Sequence, residues 1–162
     1  MIFDRDIIIA VKNLLLDKFP EDKVYIDQVA ESFARPSRMV EVLNHEIEPA
    51  SFAATLVTLV FRVTCFPPVD KASRISTQAA LSAMAYQTYL TLYGRAERTA
   101  GALPVSDRWL HISRVEMDRS GLDFCTVDFT LTYNDDRIDM AAYPYMEEVE
   151  VTLGVDIPGG EN

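Results

Sequence analysis

The stretch from Thr55 to Gly94 constrains the fold more than any other. It runs TLVTLVFRVTC, then FPPVDKASRIS, then TQAALSAMAYQTYLTLYG. In its first part Val57, Leu59, Phe61, Val63 and Cys65 share one face of a strand, with Thr58, Arg62 and Thr64 on the other, joined by Leu56 and Val60. One apolar face and one mixed face are the pattern of an antiparallel sheet covered by helices on a single side. Pro67 and Pro68 must end the strand, because neither has an N–H to give to a ladder. The next segment predicts a helix that begins near Asp70–Ser73 and stops at Gly94, a suitable C′ residue. Its apolar stripe is expected to comprise Ile75, Ala79, Met84, Tyr86, Leu90 and Tyr93, with Ala79, Ala80, Ala83 and Ala85 letting it lie close to the sheet.

The flanking segments supply the other layers. Residues 3–19 read as an amphipathic helix, with Ile7, Ile8, Val11, Leu14, Leu15 and Phe19 at helical spacing and Pro20 as the stop. Ile9 and Leu16 fall off that stripe, so the helix is apolar over more than one face, either wedged into the core or covered by a neighbouring subunit. Strands are expected at Val24–Val29 and Met39–Leu43, separated by a loop carrying Phe33, Arg35 and Pro36. Asn44–Ser51 reads as a polar turn and Arg95–Ser106 as a long loop. Trp109–Met117 and Phe124–Tyr133 read as strands joined by a Ser120-Gly121 turn, the second with Cys125, Val127, Phe129, Leu131 and Tyr133 inward. Asn134–Asp139 reads as a turn and Tyr145–Leu153 as a last acidic strand. The fold class is therefore α+β: one antiparallel or mixed β-sheet with two helices packed on one face. A single domain over 1–155 with a short tail at 156–162 is expected.

Charge narrows the function. The net charge is −10, and it is uneven: residues 1–50 carry six basic and ten acidic side chains, 51–100 five and two, and 101–162 four and thirteen. General nucleic-acid binding, which needs a basic face, is disfavoured. An alternation of acidic and basic regions suits self-association or docking to a complementary protein. The N-terminus MIFDRD lacks the pattern of a signal peptide, and no apolar run reaches membrane-spanning length, so a soluble chain made in the cytoplasm is expected.

No catalytic constellation is legible. His45 and His111 sit in neither a metal nor a triad pattern. Cys65 and Cys125 fall in phase with apolar strand faces, as buried thiols do. Asn134, Asp135, Asp136 and Asp139 lack the spacing of a calcium loop. Glu147, Glu148 and Glu150 read as a solvated or partner-facing edge. Arg35, Arg62, Arg74, Arg95 and Arg98 read as surface charges, with Arg62 in mid-strand and Arg95 and Arg98 in a long loop the best placed for pairs between subunits. No cofactor, metal or enzymatic activity is expected.

Several features, in order, resemble the tail terminator family of long-tailed bacteriophages: the helix ending in Phe19-Pro20, the strand VYIDQV, Phe33-x-Arg35-Pro36 leading into MVEVL, the long strand ending in Phe66-Pro67-Pro68, the LDFCTVDFTLTY strand, and Tyr145-Met146-Glu147-Glu148. Arg38 departs from the pattern, since a bulkier aromatic or apolar residue is more usual there, and the RAERTAGALPVSD loop is extended. The resemblance implies a non-enzymatic virion protein of the neck region, assembled in the host cytoplasm. It implies a homo-oligomeric ring, generally a hexamer, that ends tail-tube polymerisation and meets the tail tube protein on one side and a head-closure or stopper protein on the other. DNA would pass through the lumen without specific binding. Arg62, Arg95 and Arg98 would meet the acidic edge bearing Glu147, Glu148 and Glu150 on the next subunit. A connector of another position (adaptor or stopper) and a small ligand-binding α+β domain are the competing readings.

Overall fold

A computed structural model describes residues 2–29, 31–51, 54–70, 72, 75–94 and 101–136. Helix α1 (Asp4–Lys18) is followed by strands β1 (Lys23–Ile26), β2 (Ser37–Pro49) and β3 (Ala54–Phe66), helix α2 (Gln78–Leu92), and strands β4 (Ala102–Val105), β5 (Arg108–Asp118) and β6 (Cys125–Asp136). The six strands form one sheet in the order β1-β2-β3-β6-β5-β4. Only the β1–β2 pair is parallel; the others are antiparallel. This is the expected α+β architecture with a mixed sheet.

β3 lies at the centre of the sheet. It pairs with β2 and β6 along nearly its whole length, and Val57, Leu59, Phe61, Val63 and Cys65 are buried on its inner face. Cys125, Val127, Phe129, Leu131 and Tyr133 of β6 continue that face. Phe61 and Phe129 are register partners whose rings stack at 5.0 Å, an arrangement that adds roughly 0.5–1.5 kcal/mol to the burial of the two rings. α1 contributes Ile7, Ile8, Val11 and Leu15 to the core, at the spacing its sequence predicts. The sheet curls, so α1 touches β1 and β2 at one edge and β4 at the other.

Three elements differ from the sequence reading. α2 starts at Gln78, not near Asp70–Ser73, because Thr77 caps it by accepting from Ala80 N–H at 3.2 Å, and Ser76 is held outside the helix by bonds to Leu122 and Pro68. Its buried stripe is Leu81, Met84, Ala85, Thr88 and Leu92, while Ile75, Tyr86 and Leu90 are exposed. Helical periodicity admits both stripes; the polar Thr88 hides the true one. β2 continues through Asn44–Pro49, which composition marked as a turn, so His45 lies in a strand. This half of β2 is exposed throughout and so shows no alternation of polar and apolar residues. Finally, the long loop ends in β4, which pairs with β5. Gly101 opens that strand with φ +75°, and a β-carbon there would lie 3.0 Å from the Tyr93 ring.

Candidate functional site

Both helices cover the same face of the sheet, which leaves the other face open among the described residues. Register builds that face from four strands. Glu46, Thr58, Thr132 and His111 form one row; Asn44, Val60, Thr130 and Arg114 the next; Glu41, Arg62, Asp128 and Glu116 the next; Met39, Thr64, Thr126 and Asp118 the last. Among the described residues of these rows the carboxylates Glu41, Glu46, Glu116, Asp118 and Asp128 thus face two guanidinium groups. Arg62 is committed within the subunit: Nε donates to Asp128 Oδ1 at 2.7 Å and Nη2 to Oδ2 at 2.8 Å. The Asp128 carboxylate pushes the Arg62 pKa further up, so the charge is permanent. Arg114 pairs with Glu116. What remains among the described residues is a threonine-rich strip of net acidic character.

An aromatic corner closes the base of this face. Phe33 packs on Phe66 at 4.6 Å, Tyr25 meets Phe33 edge-on at 6.4 Å, and Phe124 flanks Phe66 at 6.4 Å. Arg35 stacks over both Phe33 and Phe66, 5.0 and 5.4 Å from their centroids. Its guanidinium donates to Pro67 O at 3.3 Å, to Asp123 O at 2.7 Å and to Asp123 Oδ2 at 2.7 Å. The Phe33-x-Arg35-Pro36 and Phe66-Pro67-Pro68 segments, 30 residues apart in the chain, are therefore one structural unit. Arg35 fixes the β5–β6 turn to it; it is not a free surface charge.

Three residues on, Arg38 points the opposite way, into the helix layer. It is 1% exposed and is a register partner of Cys65. Nε donates to Thr88 Oγ1 at 3.1 Å, Nη1 bonds Asp22, and the guanidinium lies 3.9 Å over the Phe19 ring. Sequence reading marked Arg38 only as a departure. The available signal was Asp22 beside Phe19-Pro20, a carboxylate close in sequence to an aromatic helix end.

The remaining candidates do not assemble a reactive centre among the described residues. His45 meets Asp4 at 3.1 Å at the surface, and His111 lies on the open face. Cys65 and Cys125 are buried, unbridged register partners. The hydrogen bond to Cys65, with burial, pushes the Cys125 thiol well above its ordinary value, so it stays protonated. The described residues hold no cluster of His, Cys, Asp and Glu able to bind a metal, and no helix among them is long and apolar enough to cross a membrane. Arg95, Arg98, Glu147, Glu148 and Glu150 lie outside the described residues, as does the Tyr145–Leu153 strand.

A family model described as phage tail terminator protein matches residues 6–141. The chain belongs to that family. As a tail terminator family member it is a structural protein of the phage tail, and hence of the virion, in a family that is typically non-enzymatic. The match spans most of α1 and every strand of the sheet, so the Arg35 corner and the open face both lie inside it. Among solved structures, a chain from the virion of a native gene transfer agent particle aligns at TM-score 0.47 and 15% identity, covering 80% of this chain and 93% of that one. A second solved chain aligns at TM-score 0.47 and 13% identity, covering 84% and 97%. No curated protein matches the sequence.

Proposed function

We propose that this tail terminator family member forms a homo-oligomeric ring, a hexamer, at the head-proximal end of the tail tube. There it ends tube polymerisation and presents a surface to the head-closure protein. The supporting observation is the open sheet face. Among the described residues α1 and α2 pack on the other side of the sheet, while this face is threonine-rich and net acidic. Turned toward a ring lumen, such a face repels phosphate and lets DNA slide without sticking.

Ring closure is heterologous, one surface of each subunit meeting a different surface of the next. Arg95 and Arg98 provide the basic side and Glu147, Glu148 and Glu150 the acidic side. Arg62 serves the subunit instead, since Asp128 already holds both edges of its fork.

Light scattering on the purified chain and tail lengths in particles made without it test this together. A ring-sized mass and overlong tails are expected. A monomer whose loss leaves tail length unchanged while blocking head attachment would move the protein to an adaptor or stopper position. Arg95→Glu with Arg98→Glu should weaken assembly and make it more salt-sensitive; normal assembly of that variant at all salt concentrations would remove these two residues from the interface.

A further inference from the structure

Two buried thiols play no part in the ring reading. Cys65 is the last residue but one of β3, Cys125 is the first of β6, and the two are register partners. Both stand on the inner face of the sheet, 0% and 1% exposed. Residues directly opposite in an antiparallel pair have α-carbons roughly 4.5–5.5 Å apart. A disulfide spans about 4.4–6.8 Å between α-carbons, so the backbone already holds this pair at bonding separation. The side chains share a hydrogen bond, and neither sulfur is bridged.

Their surroundings give the two sulfurs different roles. Cys65 Sγ lies 3.3 Å from Thr88 Oγ1, which accepts from Arg38 Nε at 3.1 Å; Arg38 is itself paired with Asp22. The hydrogen bond from Cys125 pulls the Cys65 thiol below its ordinary pKa against the effect of burial, and Thr88 and the Arg38 charge add to it. Cys125 instead stays protonated and donates to Leu81 O at 3.3 Å. Cys65 is thus the attacking thiol and Cys125 the resolving one. Position in the sheet matters as well. The pair closes the β3–β6 ladder, because Pro67 and Pro68 follow Phe66 and cannot extend it. Ladder ends open locally at lower cost than ladder centres, which admits a small oxidant.

We propose that Cys65 and Cys125 form a latent cross-strand dithiol, which hydrogen peroxide converts to a disulfide inside the folded subunit, locking β6 to β3. The Cys65 thiolate attacks one peroxide oxygen, the O–O bond breaks, and the departing hydroxide takes up the thiol's proton to leave as water. The Cys125 sulfur then attacks the Cys65 sulfenic sulfur; the S–S bond forms, the S–O bond breaks, and the Cys125 proton leaves with the hydroxide as a second water. The two thiols lose two electrons, which reduce the peroxide. The link joins residues 60 apart in the chain and encloses α2, β4 and β5 in one loop, so it restricts the unfolded chain. The proposal concerns one subunit and does not rest on the ring reading.

Peroxide treatment of the reduced full-length chain in native buffer tests it, followed by alkylation in urea and peptide mass mapping. A peptide linking Cys65 to Cys125 is expected, with a higher urea midpoint that falls back when dithiothreitol is added. Cys125→Ser should stop at a sulfenic acid on Cys65, trapped by dimedone, while in Cys65→Ser the remaining Cys125 should stay reduced far longer. The wild-type result does not depend on either variant folding. If both thiols can still be alkylated after peroxide treatment, the proposal is overturned. Oxidation to sulfinic acid without a link, a link only between different chains, or a disulfide that forms only once urea has unfolded the chain also overturns it.

Discussion

Arg38 Nε donates to Thr88 Oγ1 at 3.1 Å, joining β2 to the centre of α2 through a fully buried guanidinium. Asp22 supplies the counter-charge and Phe19 the ring beneath it. Removing the guanidinium leaves the half-buried Asp22 carboxylate and Thr88 without their partner. Arg38→Ala should therefore cost about 3–5 kcal/mol in urea unfolding. Replacing the pair by apolar or neutral groups, Arg38→Met with Asp22→Asn, should cost much less than the sum of the single changes. Additive single and double variants would show that Arg38 and Asp22 are not coupled.

The Arg35 fork predicts a different response. A lysine keeps the charge but lacks the planar fork whose two nitrogens reach the Pro67 carbonyl and the Asp123 carbonyl and carboxylate, and it cannot stack flat on Phe33 and Phe66. Arg35→Lys should lower stability by roughly 1–3 kcal/mol, and Asp123→Ala should add little on top of it. If Arg35→Lys unfolds at the wild-type urea midpoint, the corner is not held by the fork.

The difference between these two arginines explains what the sequence discloses. β3 and β6 were legible because one face is apolar and the other polar, so Val57–Cys65 and Cys125–Tyr133 print a period of two. The far half of β2 was not, because Asn44–Pro49 is exposed on both faces and carries no period. α2 was legible as a helix but not in phase: Tyr86 and Leu90 are apolar yet exposed, and Thr88 is polar yet buried beside Arg38. The open face was invisible for another reason. Glu41, Arg62, Asp128 and Glu116 become one row only through register, and no local pattern encodes pairing between residues so far apart.

Asp135 gives a pH dependence. Burial pushes its pKa up, but hydrogen bonds from the Ile2 and Asp136 amides and the Arg108 charge prevail and lower it below the ordinary carboxylate value. A group depressed in the folded state contributes stability above its unfolded pKa, about 4, and loses it as pH falls through the lower folded value. Asp135→Asn should be less stable at neutral pH and should show a flatter loss of stability from pH 4 downward. Equal slopes for the two proteins in acid titrations followed by circular dichroism would exclude this carboxylate as a contributor.

The open face predicts how DNA behaves, given the ring. Glu41, Glu46 and Glu116 lie on neighbouring strands of the face, and none is needed to fill the core. Changing all three to lysine replaces repulsion by attraction and leaves both members of the Arg62–Asp128 pair in the chain. The variant chain should bind double-stranded DNA where the wild type does not, with a log–log salt slope of roughly −0.9 for each phosphate engaged. Particles carrying it should release DNA more slowly, and high salt should restore the rate, because a lumen of lysines holds phosphate only while counterions are scarce. Glutamine at the same three positions separates the two effects: it removes repulsion without adding attraction, so release should stay close to the wild-type rate. If the lysine particles form normally and release DNA at the wild-type rate at every salt concentration, this face does not line the passage.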